Sequence, residues 1–286
     1  MARFELREKV ALVTGGAQGI GLGTANALHA RGARVAVVDL SQDDAERAAA
    51  GIDPSAIGLA ADVTDADAIQ GAVDSVVERF GRLDVLVANA GIASRGATTR
   101  AMDADAFERV VEVNLLGVWR SVRAALPQVI DNQGHIVVVA SIYAFFNGVG
   151  AAPYAMSKAG VEQLGRALRC ELAPLGASAS VAYFGFIDTE MVHKAIDQDP
   201  LAERMMDASP RVLHKRLPPS AAGEAIAQGI ERRAPRIIRP RRWAVLSTLR
   251  GIINPLMDAR MERDDELQAI VRELDARADQ RTPTTA

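Results

Sequence analysis

Cysteine is nearly absent: the 286-residue chain holds one, Cys170. A lone thiol forms no intramolecular disulfide and supplies no cysteine-rich metal site, so nothing points to an oxidising compartment and cytoplasmic residence is expected. Histidine is scarce too. His29, His135, His193 and His214 lie far apart without helical pairing, so no metal site is expected and they read as ordinary surface or loop residues. Neither sign of charge dominates, because 33 Lys and Arg face 36 Asp and Glu for a net −3, which removes the electrostatic motive for general nucleic-acid binding. Long apolar runs are missing as well. The uncharged window from Ile136 to Ser157 is interrupted by Asn147, Gly148, Gly150 and Pro153, so it reads as strand, loop and helix start rather than a membrane span. The opening MARFELREKVALVTGG has no apolar core followed by a small-residue cleavage site, so secretion is not expected.

What is present is a core-forming composition, 49% hydrophobic and 24% charged. Short β-branched runs alternate with helical stretches. Candidate strands are Val10 to Val13, Arg34 to Val38, Ala56 to Ala60, Val85 to Ala88, His135 to Ala140, Ser178 to Tyr183 and Arg236 to Ile238, all apolar without strict alternation, as in a sheet covered on both faces. Helices are expected at Gly19 to Ala30, Asp43 to Ala50, Asp65 to Phe80, Asp105 to Ile130, Ala152 to Leu172 and Ser220 to Arg232. The alternation predicts a single-domain α/β fold, a doubly wound parallel sheet of about seven strands over residues 1–240, with a C-terminal helical extension over 241–286. Its ligands belong at the carboxyl ends of the strands. Irregular sequence after about residue 190, with Pro200, Pro210, Pro218 and Pro219, suggests a flap over that end.

Directly after the first strand stands Thr14-Gly15-Gly16-Ala17-Gln18-Gly19-Ile20-Gly21, and a helical run follows. Glycines there permit a tight turn and let backbone N–H groups approach a pyrophosphate at the positive helix end. A glycine cluster alone signals little more than a turn; strand before and helix after make it a Rossmann-type loop. Asp39 closes the second strand, where a carboxylate accepts both hydroxyls of an adenosine ribose and repels a 2′-phosphate, so NAD is favoured over NADP.

Tyr154 and Lys158 are one helical turn apart, so their polar ends converge on one face. A phenol ionises near 10, and work as a proton acceptor at neutral pH requires it lowered by about 3 units. The neighbouring ammonium, together with the positive nicotinamide ring of an oxidised cofactor, is the expected source of that lowering. Asn114 sits in an apolar helical stretch, which is costly unless its amide finds a partner.

With Thr14 to Gly21, Asp39, Asp62-Val63, Asn89-Ala90-Gly91, Asn114, Ser141, Tyr154 with Lys158, and Gly185 to Thr189 in this order, residues 7 to 240 resemble the short-chain dehydrogenase/reductase family in its compact form. The resemblance implies hydride transfer between an alcohol carbon and a nicotinamide. Tyr154 would exchange the alcohol proton, Ser141 would hydrogen-bond the substrate oxygen, Lys158 would bind the nicotinamide ribose, and Asn114 would position a water beside Lys158. It further implies cofactor contacts from Gly15, Gln18, Gly19, Ile20 and Gly21 in the loop, Asp62 and Val63 at the adenine, Asn89, Ala90 and Gly91 at the ribose, and Ile187 and Thr189 at the carboxamide. A homo-oligomer assembled through the two long helices is implied as well. The expected substrate is an apolar secondary alcohol or ketone, judged from Phe145, Phe146, Phe184, Phe186 and the segment Met191 to Met206. A non-catalytic redox sensor of the same fold is the alternative.

Two departures stand out. Ala88 replaces the first of two asparagines that the family carries before Ala-Gly, and Phe184-Gly185 replaces its Pro-Gly, placing a ring where it would narrow the substrate pocket. Six arginines between Arg232 and Arg242, followed by Trp243, Leu246, Leu249, Ile252 and Ile253, allow weak contact with a membrane surface, although docking of this helix on the protein is the favoured reading.

Overall fold

The computed structural model describes residues 3–207 and 214–278; Pro210 of the expected flap lies outside them. Seven strands form one wholly parallel sheet: β1 (Val10–Thr14), β2 (Arg34–Asp39), β3 (Ile57–Ala60), β4 (Val85–Ala88), β5 (His135–Val139), β6 (Ser178–Phe184) and β7 (Arg236–Arg239). Their spatial order is β3-β2-β1-β4-β5-β6-β7. The chain therefore winds outward in one direction from β1 and in the other from β4. Leu12 of β1 pairs with Ala36 on one side and Leu86 on the other, and the cleft at this switch point is where such sheets bind ligands.

Helices α1 (Gly19–His29), α2 (Gln42–Ile52), α3 (Ala66–Phe80), α4 (Ala104–Val111), α5 (Gly117–Asp131), α6 (Ala152–Leu172), α7 (Glu190–Val192), α8 (Pro200–Asp207) and α9 (Pro219–Glu231) connect the strands. Two apolar layers result. One joins Leu12, Val38, Leu86 and Ile136 to α3, α5 and α6; the other joins Val13, Val37, Val87 and Val139 to α1 and α9. Successive strand residues thus enter opposite layers, which is why the strands read as unbroken apolar runs. Helix starts follow local chemistry: Ser41, Asp65 and Asp103 accept first-turn N–H groups, and Gly81 ends α3 in the left-handed conformation. The helix expected from Asp105 to Ile130 is interrupted by a π-helical turn at Glu112–Leu116.

After β7 come α10 (Trp243–Met261) and α11 (Asp265–Asp275). Helix α10 docks on the body: Trp243 is buried among core residues beside Phe146, the Arg250 guanidinium grips the buried Glu162 carboxylate of α6 at 2.8 and 2.9 Å, and Asn254 donates to the Phe145 carbonyl at 2.8 Å. Of the apolar residues read as a surface-seeking face, Trp243 and Leu246 are taken into the core, while Leu249 and Ile252 stay exposed. No helix among the described residues is long and apolar enough to cross a membrane. Helix α11 buries Leu267, Ile270 and Leu274 and, with the turn that follows it, ties the loop at 98–100 to the segment at 199–204. Asp275 holds Thr98 and Arg100, Arg277 holds Asp199 at the head of α8, and Glu273 pairs with Arg204 at 2.8 Å.

His135 corrects an expectation. Far from lying on the surface, it is fully buried at the start of β5, with Nδ1 and Nε2 each 2.7 Å from a serine hydroxyl, Ser178 and Ser180. The period-two strand pattern assigns the neighbours inward and gives no sign that a polar residue at the strand entrance joins them. Burial first, then the charges of Arg233 and Arg169, push its pKa down to about 3. The folded protein therefore holds this ring neutral where the unfolded chain protonates it near 6.5. As pH falls from 6.5 toward 3 the unfolded state binds the extra proton, and stability declines by about 1.4 kcal/mol per unit. Urea titrations of wild type and His135→Gln at successive pH values are expected to show this slope in wild type, flattened in the variant.

Candidate active site

The glycine loop leaves β1 and enters α1. Gly15 and Gly19 have φ of 59° and 52°, and a Cβ on Gly15 would stand 2.9 Å from Ala90 Cα, so only glycine fits against the loop after β4. Gly21 is held tighter, since a Cβ there would meet the Gly15 carbonyl at 2.0 Å. Gln18 precedes α1 without a side-chain cap, which leaves the first N–H groups of the helix, at Gly19 through Gly21, available to an anion. Asp39 closes β2 beside this loop, its Oδ2 accepting Ala17 N at 3.0 Å and Oδ1 accepting Leu40 N at 2.9 Å. The donor set fits a dinucleotide: a free helix terminus for the phosphates and a fixed carboxylate for ribose hydroxyls.

Several expected contact residues also brace the site from within. The Asn89 amide donates to the carbonyls of Thr14 and Gly15 at 3.0 and 3.1 Å, while the buried Thr14 hydroxyl accepts Asn89 N and Ala90 N at 3.1 and 3.2 Å. Together they lock the loop to β4. Val63 packs its side chain on Gly117 in the core, and Asp62 caps Thr64 N and pairs with Arg109 at 3.3 Å. The Ile187 side chain is buried, whereas Thr189 faces Gly19 across the cleft, its methyl 3.2 Å from where a Gly19 Cβ would stand. The flap segment is thereby set against the glycine loop.

Tyr154, Ser141, Lys158 and Asn114 do come together. Ser141 follows β5 directly, its Oγ accepting Tyr143 N at 3.3 Å, and it lies close enough to the Tyr154 phenol to bias it toward the ionised form. Lys158, on the first turns of α6, reaches under the Tyr154 ring, 5.6 Å from its centroid, and donates to the Val139 carbonyl at 2.9 Å. Asn114 lies in the π turn, a bulge that re-aims one residue out of the helical register. Its amide is fully engaged, accepting Ile92 N at 2.7 Å and donating to Ile92 O at 2.9 Å and Ser157 Oγ at 3.3 Å. Gly91 fills the remaining space: a Cβ there would lie 3.2 Å from Asn114 Oδ1 and 3.4 Å from Lys158 Nζ.

The electrostatics oppose the simple expectation. Burial raises the Tyr154 phenol to about 12, against the smaller lowering by Ser141, and burial also pushes Lys158 down to about 8. Without a cofactor, burial is the larger influence on both groups and drives each toward its neutral form.

Residues missed from the sequence include Ser157 and Tyr143. Ser157 was visible in principle, one turn along the face that carries Tyr154, and its hydroxyl donates to the Tyr154 carbonyl at 2.8 Å. Tyr143 stands edge-on to Tyr154 at 5.8 Å between centroids, and no spacing rule announces it. Two expected pocket residues are corrected: Phe184 and Phe145 are core side chains. At Gly185 the Trp243 indole comes so near that a Cβ would lie 2.4 Å from its Nε1, so the glycine, and not the ring before it, shapes this corner.

Residues 9–200 match the family described as short chain dehydrogenase, and the chain belongs to the short-chain dehydrogenase/reductase family of oxidoreductases. It is 38% identical over 188 residues, 65% of this chain and 76% of the relative, to cis-4-hydroxycyclohexanecarboxylate dehydrogenase of Sinomonas cyclohexanicum. It is 35% identical over 195 residues, 64% of this chain and 75% of the relative, to 3-hydroxyacyl-CoA dehydrogenase type-2 of Bos taurus. Among solved structures, 3-ketoacyl-(acyl-carrier-protein) reductase from Brucella melitensis, complexed with NADH, superposes with a TM-score of 0.70 at 29% identity, covering 82% of this chain and 97% of that one. Activity at a hydroxyl-bearing carbon is the shared feature.

Asn114→Ala removes three hydrogen bonds and strands the Ile92 N–H. A loss of about 2 kcal/mol in urea unfolding is expected, with the dependence on urea concentration unchanged.

Proposed function

We propose that the protein is an NAD-dependent dehydrogenase that interconverts an apolar secondary alcohol and its ketone. The observation that carries the reading is the meeting of Tyr154, Ser141 and Lys158 at the carboxyl end of β5, in the cleft that Asp39 and the glycine loop border. Gly15, Gln18, Gly19, Ile20 and Gly21 would hold the pyrophosphate, Asp39 the adenosine ribose, and Asp62 with the Val63 backbone the adenine edge. Asn89, Ala90 and Gly91 shape the wall of the ribose site, and Ile187 and Thr189 the carboxamide end. The oxidised nicotinamide, when bound, supplies the hydride acceptor and a positive charge.

Ser141 Oγ orients the substrate oxygen, and Tyr154 Oη exchanges a proton with it. Lys158 Nζ, already anchored on the Val139 carbonyl, holds the ribose from below and passes protons onward, with Asn114 fixing the loop above it. Because the unliganded chain keeps Tyr154 protonated, the phenol stands ready as a donor to a carbonyl; to accept a proton from an alcohol it needs further stabilisation of the phenolate. Tyr143 beside Tyr154, and Met205 packed near Gly150, give the substrate cavity an apolar wall, which supports an apolar substrate.

Residues 1–240 serve as the catalytic domain in this reading, with 241–286 as an extension docked on it, acting in the cytoplasm. Assembly into a homo-oligomer is supported by the exposed Leu116 and Trp119 around the start of α5 and Met156 on α6.

Tyr154→Phe tests the chemistry. With a panel of secondary alcohols, NADH formation is expected to fall by at least about 100-fold while NADH binding by fluorescence stays within about twofold; equal turnover would leave the non-catalytic reading in place. For oxidation, kcat/KM for the alcohol at saturating NAD should climb with pH as Tyr154 ionises in the enzyme–NAD complex, with a midpoint below the cofactor-free value of about 12. Asp39→Ser is expected to move the ratio of kcat/KM for NAD over NADP toward NADP by about tenfold or more, because the carboxylate that repels a 2′-phosphate is gone. Unchanged preference would remove Asp39 from the assignment.

A further inference from the structure

Further along α6 from Tyr154, a cleft of about 350 Å³ opens between the C-terminal turns of α6, the β6–β7 edge and α10. Four arginines line it: Arg166 and Arg169 from α6, Arg236 from β7 and Arg250 from α10. One carboxylate, Glu162, opposes them, and it is already held by both nitrogens of the Arg250 fork. Arg169 spends its guanidinium on the carbonyls of Ala179 and Arg233. Arg166 reaches Glu162 at 3.9 Å and donates to Gln163 Oε1 at 3.2 Å, and the exposed Arg236 side chain makes no ion pair or hydrogen bond among the described residues. The local balance is strongly positive although the chain as a whole is not.

Two hydroxyls face the same space. Tyr183 is 1% exposed and Ser247 is 7% exposed, yet neither hydroxyl has a hydrogen-bond partner among the described residues. Both side chains are packed in, yet their oxygens open onto the arginine-lined cleft with their hydroxyl protons uncommitted, so a ligand seated there can accept from both. Burial, and after it the Glu162 carboxylate, hold the Tyr183 phenol above its ordinary range, so Oη enters as a donor. Donors thus arrive from four elements, a geometry suited to the several oxygens of a tetrahedral oxyanion better than to the two of a carboxylate.

We propose that this cleft is a second binding site, separate from the catalytic cleft, for a small soluble phosphate or phosphate monoester, recognised by Arg166, Arg236, Tyr183 Oη and Ser247 Oγ. A volume of about 350 Å³ takes such a molecule and no large body attached to it. Because α6 also carries Tyr154 and Lys158, and Glu162 lies one turn beyond Lys158, occupancy of the cleft stiffens the catalytic helix from its outer side.

The chain supplies its own reporter. Cys170 is its single cysteine, is exposed and lines this cleft, so alkylation reads the site alone. The experiment follows iodoacetamide modification of the full chain by mass spectrometry against rising inorganic phosphate, and separately glycerol 3-phosphate, at ionic strength held constant with chloride. Saturable slowing of at least threefold is expected, with the half-saturating concentration raised about tenfold or more in Arg236→Ala and in Tyr183→Phe. The proposal is overturned if Cys170 is unreactive in the native chain, if phosphate has no effect beyond chloride, if both variants respond as wild type, or if only vesicles containing phosphatidic acid protect.

Discussion

Exclusion of water from the ground beneath β5 is the constraint on which the site depends. Tyr154 and Lys158 are placed there by one helical turn of α6, and the same burial that positions them disfavours charge on either, holding the phenol near 12 and the amine near 8. Neither group can be read in isolation. The amine is satisfied by the Val139 carbonyl at the end of β5, so its position is fixed by backbone and not by the phenol it serves. The π turn that carries Asn114 completes the arrangement by tying the loop after β4 to α6 through Ile92 and Ser157. Lys158 is buried and Tyr154 part-buried there, so a charge bound at this site acts at a lower local dielectric than in bulk water.

The frame around this site was largely legible from the sequence. Both-face burial of a parallel sheet leaves runs such as Val85 to Ala88 with no polar interruption, and the doubly wound parallel arrangement follows from their alternation with helices. The glycine loop was legible because backbone approach at Gly15 and Gly21 tolerates no side chain, so chemistry and residue identity are inseparable there. What escaped was tertiary. Whether Asn89 touches a ligand or braces a loop depends on the direction of one amide, and Phe184 was drawn to the pocket by its position beside Gly185 while strand alternation sends its ring into the core. His135 and Ser178, distant in sequence, met only through the β5–β6 register. The opposing effect of burial on Tyr154 in the cofactor-free chain was not legible, because proximity to an ammonium is visible from spacing whereas depth of burial is not.

The extension after β7 changes the surroundings of the site more than its chemistry. Trp243 and Arg250 seal α10 against the core and α6, and α11 links Thr98, Arg100, Asp199 and Arg204, which belong to loops or short helices at the carboxyl end of the sheet. Most of these ties are ion pairs rather than apolar contacts. They restrain the segment leading into and through α8 against the rest of the molecule, so the extension bears on how the substrate side of the cleft is bounded. Their exposed members contribute little individually, and the buried Asp199–Arg277 pair carries more of the geometry.

The burial-controlled pairing of Tyr154 and Lys158 is tested most directly by nuclear magnetic resonance titration of the cofactor-free protein, with lysine Nζ and tyrosine Cζ isotopically labelled. Lys158 is expected to titrate near 8, assigned by its loss in Lys158→Met, while Tyr154 remains protonated beyond the ordinary phenol midpoint near 10. An ordinary lysine midpoint above 10, or a Tyr154 phenol ionising below 9 without any ligand, would contradict the account.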